Sequence, residues 1–252
     1  VAINPHKQYI STLALNVEPD KAHFYFEKSG MLNIQTKRGC PYGCIYCSYP
    51  IIEGQSVRLL DARSVAENIK ELKNSKGIDY LFFTDSVFNI HKEYNRELCS
   101  LLIESKVNVK WGAYFTPHNM TYQDMELYQK SGLTHIEWGT DSLSDIQLEN
   151  YNKKFRFSDI KTQSLNAGKL GIYHAHFMIL AGYGETDETL NETYERSREL
   201  GKTIFFPFVG MRIYPRTRLY DIAVREGVIS PDNNLLIPEY YVSKNVNMET
   251  LQ

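Results

Sequence analysis

Hydrophobic and polar positions along this chain alternate between two rhythms. Short runs rich in β-branched and aromatic residues fall at 31–36, 80–84, 109–115, 133–139, 172–181 and 203–213. They have the composition and length of strands. Between them, apolar residues recur three and four positions apart, which is the spacing of one helix face. Val65, Ile69 and Leu72 form such a stripe, with Asp61 as an N-cap and Gly77 as a stop. Further helices are predicted over 92–104, 121–132, 144–169 with a break near 155–157, 186–201 and 219–226.

The pattern is a series of six β-α units. Successive parallel strands need crossover connections, and helices supply them. The expected architecture is therefore α/β: a partial (β/α)6 TIM-like barrel of parallel strands with outer helices, short of the eight units of a full barrel. A doubly wound open sheet has the same periodicity and stays open as the alternative. Residues 1–30 lack a clear period and read as a linker or incoming arm. Residues 31–227 form the barrel domain. Residues 228–252, with Pro231, Asn233, Asn234 and Pro238, read as an irregular tail. The chain begins at Val1, so it reads as a fragment of a longer protein.

Composition narrows the function classes. The chain has 252 residues, is 42% hydrophobic and 23% charged, and carries a formal net charge of −2. That balance gives no electrostatic pull toward nucleic acid or an anionic membrane. No apolar run is long enough to cross a bilayer. Of four cysteines, Cys40, Cys44 and Cys47 lie within eight positions, while Cys99 sits alone in a helical pattern as a small core residue. Such clustering suggests metal binding in a reducing compartment, not a secreted disulfide framework. The cytoplasm is the expected location.

The segment Gly39-Cys40-Pro41-Tyr42-Gly43-Cys44-Ile45-Tyr46-Cys47 directly follows the first predicted strand. It thus falls at a strand's carboxyl end, where active sites collect in β/α barrels. Its glycines and proline favour a compact loop that turns three thiols toward one place. Three thiolates are one short of a closed zinc site or a four-cysteine cluster. A cluster on three would leave one iron open to an exchangeable ligand. A zinc site or another Fe–S site closed by a distant fourth ligand is the competing reading.

The spacing Cys-x3-Cys-x2-Cys, with an aromatic residue before the last cysteine, resembles the signature of the radical S-adenosylmethionine (SAM) superfamily. The resemblance implies a [4Fe–4S] cluster on Cys40, Cys44 and Cys47, with SAM chelating the fourth iron. Reductive cleavage of SAM would then yield a 5′-deoxyadenosyl radical, chemistry that the cofactor carries and the protein orients. It further implies that Tyr46 packs near the adenine, and that Asp85 and Ser86, in Thr84-Asp85-Ser86-Val87-Phe88, face the SAM amino group. Asp141 and Ser142, in Gly139-Thr140-Asp141-Ser142, would meet the ribose, and Lys153 the SAM carboxylate. Gly182, in Gly182-Tyr183-Gly184-Glu185-Thr186, and the backbone near Ile213 would line the nucleoside. His174, His176 and Met178 alternate along one predicted strand and so share a face. His176 and Tyr114 are the candidate catalytic side chains.

The motifs are most similar to radical SAM proteins that carry an N-terminal cobalamin-binding domain. The resemblance implies methylation or remodelling of a small-molecule or lipid-like substrate, with electrons from a donor such as a flavodoxin or ferredoxin. The cobalamin element Asp-x-His-x-x-Gly does not occur in the chain, so cobalamin is expected only in a full-length parent. Two other functional classes remain open on residues alone: a zinc-stapled binding module and an Fe–S electron carrier.

Overall fold

The computed structural model of the chain describes residues 18–247 and 249. Its centre is a six-stranded parallel sheet formed by β1 (Leu32–Ile34), β4 (Tyr80–Phe83), β5 (Lys110–Phe115), β6 (Leu133–Asp141), β7 (Tyr173–Leu180) and β8 (Ile204–Val209), in that spatial order. Each new strand joins beside the previous one. A doubly wound sheet would instead reverse direction at a switch point. The unbroken order therefore decides for the partial (β/α)6 barrel.

Five helices make the crossovers: α3 (Ala62–Lys76), α4 (Lys92–Glu104), α5 (Tyr122–Lys130), α7 (Phe157–Lys169) and α8 (Asp187–Ser197). Their starts are chemically specified. The Asp61 carboxylate accepts the Ser64 amide, and Thr121 and Thr186 each form a capping box. A six-residue helix, α6 (Asp145–Asn150), lies between β6 and α7, so the expected break in that stretch is present.

Strand parity separates two faces. Leu81, Phe83, Trp111, Ala113, Phe115, Ile136 and Trp138 point outward to the helices and are almost wholly buried. Phe83, Phe88, Trp111, Phe115 and Tyr128 pack ring against ring there, with centroids 4.9–6.3 Å apart. The alternate residues, among them Phe82, Tyr114, Glu137 and Phe177, line the concave side.

Three boundaries differ from expectation. Residues 19–29 form a helix, α1 (Pro19–Ser29), not a linker; it packs on α3 and β1. Its only fully buried residue is Ala22, so its apolar stripe is too weak to read from sequence. The rest of the expected arm, residues 1–17, lies outside the described residues. The last predicted strand is cut at Gly210, whose φ of +78° ends β8 and starts the short β9 (Met211–Arg212). β9 pairs antiparallel with β10 (Tyr240–Tyr241), so the otherwise irregular tail is tied back beside the barrel. The final helix, α9 (Arg218–Arg225), is capped by Thr217.

Candidate active site

The cysteine loop leaves β1 through a second short strand, β2 (Lys37–Arg38), which pairs with β3 (Arg58–Leu59). Between them lies α2 (Tyr49–Ile52). Gly39 makes the entry possible. Its φ is +93°, and a Cβ there would sit 2.2 Å from the Ser56 carbonyl oxygen. The loop is pinned from several sides. The Cys40 amide donates to the Gly54 carbonyl (3.1 Å), and the Asn152 amide to the Gly43 carbonyl (2.7 Å). The Ile45 carbonyl accepts the Leu219 amide (2.8 Å). Beneath it, Ile45, Tyr151, Met211, Ile213 and Leu219 form a separate buried cluster.

Cys40, Cys44 and Cys47 are all free thiols, and all three open into one cavity of about 360 Å³ at the carboxyl ends of the strands. Burial pushes the Cys40 thiol up to about 11, with a backbone amide at Tyr42 drawing it partly back. Cys47 is raised in the same way and offset by the amide at Tyr49. Metal binding must displace those protons. Among the described residues, no three His, Cys, Asp or Glu side chains converge as they would around a single ion. Three sulfurs spread round a shared cavity suit a multi-iron cluster, each thiolate on a different iron.

Among the described residues, His118 is the one histidine lining the cavity. Its Nε2 meets the Tyr42 hydroxyl (3.2 Å) and its Nδ1 the Thr116 hydroxyl (2.9 Å). Both nitrogens are engaged, so it offers no ready fourth ligand. His118 sits beyond a strand end with no motif around it, and no sequence signal marks it.

Tyr46, Asp141 and Lys153 come together beside the thiols. The Tyr46 hydroxyl donates to an Asp141 carboxylate oxygen, and the Lys153 ammonium pairs with that same oxygen. Lys153 also reaches the Tyr46 hydroxyl (3.1 Å) and the Gly139 carbonyl (3.2 Å). Burial opposes the charge on Lys153, but Asp141 and the neighbouring cysteines outweigh it and raise its pKa. The same burial, and then the Asp141 charge, push the Tyr46 phenol well up. The result is a buried, permanently charged ammonium on the cavity wall. Asp141 bears it from a left-handed backbone, φ +64°, a conformation that Asp tolerates better than most residues.

Of the other expected site residues, some line this cavity and others do not. Asp85 is fully buried and does not face the cavity. One of its oxygens accepts the Thr36 and Lys37 amides (2.7 and 3.0 Å). The other accepts the Thr36 hydroxyl and the Lys37 ammonium, each at 2.6 Å. With both oxygens occupied, Asp85 braces the approach to the cysteine loop and has no capacity left for a cofactor's amino group. Ser86, one position on, lines the cavity, and its hydroxyl donates to Glu53 (3.2 Å). Glu53 also accepts from Gln35 (2.9 Å) and the Gly39 amide (3.2 Å), a convergence that sequence spacing does not reveal.

His176 is likewise corrected. With His174 it points outward under α7, where its Nδ1 meets the Thr140 hydroxyl (2.7 Å) and its Nε2 meets Ser164 (3.3 Å). Burial lowers its pKa to about 3. It is a neutral core histidine, and the concave positions of β7 are taken by Ala175 and Phe177. Ser142 is buried against Thr193 and the Ser144 amide. Gly182 is needed for packing, since a Cβ there would lie 2.0 Å from the Tyr151 hydroxyl. Ile213 sits in the cluster beneath the loop, with its amide donated to the Glu239 carbonyl (2.8 Å). Tyr114 does line the cavity and is 42% exposed.

Residues 34–196, which span all three cysteines, match the radical SAM superfamily. The chain belongs to that superfamily. Among characterised relatives, it is similar to the anaerobic magnesium-protoporphyrin IX monomethyl ester cyclase of Rubrivivax gelatinosus, at 27% identity over 64% of this chain and 29% of the relative. It is also similar to the tryptophan 2-C-methyltransferase of Streptomyces laurentii, at 22% identity over 76% of this chain and 34% of the relative. The chain thus spans about a third of those radical SAM proteins. The solved radical SAM methyltransferase TsrM of Kitasatospora setae, with cobalamin and a [4Fe–4S] cluster bound, superposes with a TM-score of 0.74 at 20% identity, covering 81% of this chain and 41% of that one. The cobalamin-dependent radical enzyme OxsB, with aqua-cobalamin and SAM bound, superposes with a TM-score of 0.70 at 15% identity, covering 84% and 38%. These last two likenesses show the fold.

Proposed function

We propose that this chain is the catalytic barrel of a cobalamin-associated radical SAM enzyme that methylates or remodels a small organic molecule. The carrying observation is the set of three free thiols around one cavity, with a buried ammonium beside them and the lining histidine, His118, already bonded on both nitrogens. A [4Fe–4S] cluster and SAM, when bound, supply a 5′-deoxyadenosyl radical.

The chain's own residues bind, orient and shield. Cys40, Cys44 and Cys47 hold the cluster, and the amides at Tyr42 and Tyr49 moderate the charge on two of the sulfurs. Lys153 presents its ammonium to the SAM carboxylate. Asp141 keeps Lys153 in place and offers its second oxygen toward the ribose. The Tyr46 ring, fixed by its hydroxyl, packs at the adenine side. Ser86 lies at the amino-group side, with Glu53 behind it. The cavity walls, Phe155 and Phe177 among them, exclude water from a reactive intermediate. The similarity to TsrM and OxsB, both solved with cobalamin bound, supports a cobalamin-binding region in the parent protein. A flavodoxin or ferredoxin is the proposed electron source and the cytoplasm the proposed setting. Among the described residues, no helix is long and apolar enough to cross a membrane.

The test is anaerobic reconstitution of the full chain, then dithionite and SAM. About four irons and four sulfides per chain, with 5′-deoxyadenosine and methionine released, is the expected result. One zinc and no iron would establish the stapled module instead. A four-iron cluster that leaves SAM intact would establish the electron carrier.

A further inference from the structure

The concave face of the barrel carries a second arrangement, next to the cysteine cavity and continuous with it through Tyr114 and Phe177. Its two sides are aromatic. On one side, Phe82 and Tyr114 pack edge to face with centroids 4.9 Å apart. On the other, Phe177 stacks with Phe206 (5.2 Å, planes 28° apart) and with Phe208 (6.2 Å, planes 5° apart). Phe206 and Phe208 are 45% and 56% exposed, so their faces are offered to the concavity.

Between the walls the strands carry small or polar residues. Glu137 stands beside Tyr114 in the ladder on one side and Ala175 on the other, and Gly139 follows two positions later. Among the described residues, Glu137 is the only carboxylate that the strands place on this floor. Burial raises its pKa, and the Tyr114 hydroxyl draws it partly back; no cation contributes. A carboxyl placed among aromatic side chains without a cationic partner is costly unless something hydrogen-bonds to it.

We propose that this concave face binds a flat conjugated ring system bearing a hydrogen-bond donor on its rim, with the donor aimed at Glu137 and the ring between the two aromatic walls. The proposal rests on the catalytic reading above and names its substrate class. Flat rings match the geometry because aromatic faces and edges prefer aromatic partners beyond simple area burial. A lipid chain would use the apolar walls but give Glu137 no donor beyond the Tyr114 hydroxyl. Glu137 and Tyr114 then act as positioning residues that fix which rim atom faces the cysteine cavity.

Fluorescence titration of the anaerobically reconstituted chain tests this with three probes. Carbazole is flat and has one N–H. Dibenzofuran has the same shape with oxygen in that place. Dodecanoate is a flexible chain. Carbazole is expected to bind about tenfold more tightly than dibenzofuran, the size of one well-made hydrogen bond to a carboxylate. Glu137→Met should abolish that preference, and Phe206→Ala with Phe208→Ala should weaken both flat probes. Equal binding of the two flat probes to the wild-type chain, or tighter binding of dodecanoate, overturns the proposal without any variant having to fold. Release of 5′-deoxyadenosine in the absence of these probes reports on the catalytic reading separately. A chain that cleaves SAM but ignores the N–H sinks only the substrate class. A chain that prefers carbazole but cannot cleave SAM sinks only the catalysis.

Discussion

Residue by residue, the most informative side chains are charged groups with almost no exposure. Lys37 and Asp85 are 2% and 0% exposed, and the Lys37 ammonium also lies 4.4 Å from the Phe88 ring centroid. Burial pushes the Lys37 pKa down and Asp85 pulls it part of the way back. Removing one partner would leave an uncompensated buried charge. Asp85→Asn is therefore expected to destabilise the fold by about 3–5 kcal/mol, lowering Tm by about 10 °C in a chain of this size. Replacing both partners with apolar residues should cost less than the single change. Thermal melts of the three proteins check this; a single variant melting with the wild type would contradict it. The same pair shows where the sequence was ambiguous. Asp85 and Ser86 both sit at a strand end, where neighbours face opposite ways, so a one-residue choice of parity exchanges a brace for a cavity wall. His176 shows the same ambiguity, since a one-residue change of parity along β7 exchanges a core position for a concave one. The three cysteines were legible because spacing alone confines them to one loop.

At the scale of elements, the strand-to-helix turn after β7 holds the clearest local tension. Glu185 is fully buried, and among the described residues neither carboxylate oxygen makes a well-formed hydrogen bond, although the Ala181 and Gly182 amides lie close by. Burial raises its pKa from 4.5 to about 7, partly countered by the backbone amides of Ala181 and Gly182. The unfolded carboxyl releases its proton near 4.5, whereas the native one retains it until about 7. Between those values the native state binds more protons, so this group's contribution to stability declines as pH rises through the window and levels off above it. The effect is on the order of 2–3 kcal/mol. Glu185→Gln should gain stability relative to the wild type between pH 5 and pH 8, measured as the difference in urea midpoints. Parallel midpoints across that range would refute the assignment. Helices with long apolar stripes and strong caps were legible to within a residue or two, as α3 and α4 show. α1 was not, because it buries so little. The single break at Gly210 was not either, because a lone glycine inside an apolar run does not announce a positive φ.

For the whole molecule, periodicity supplied the number of β-α units but not their order in space. Only the sheet distinguishes consecutive addition from a reversal, because both architectures bury the same stripes. Consecutive addition curls the sheet and brings the carboxyl ends of the strands round one hollow. The cysteine loop, the end of β6 carrying Asp141 and the connection carrying Lys153 therefore meet, although Cys40 and Lys153 are far apart in sequence. The meeting of Tyr46, Asp141 and Lys153 is a product of that curvature, and no local motif encodes it.

The central claim is that three thiolates leave one cluster corner open for SAM. Electron paramagnetic resonance of the dithionite-reduced, reconstituted chain, recorded with and without SAM, examines that corner directly. A reduced [4Fe–4S] signal whose g-values shift when SAM is added is the predicted result. A cluster signal indifferent to SAM, in a sample shown to contain four irons per chain, would contradict it.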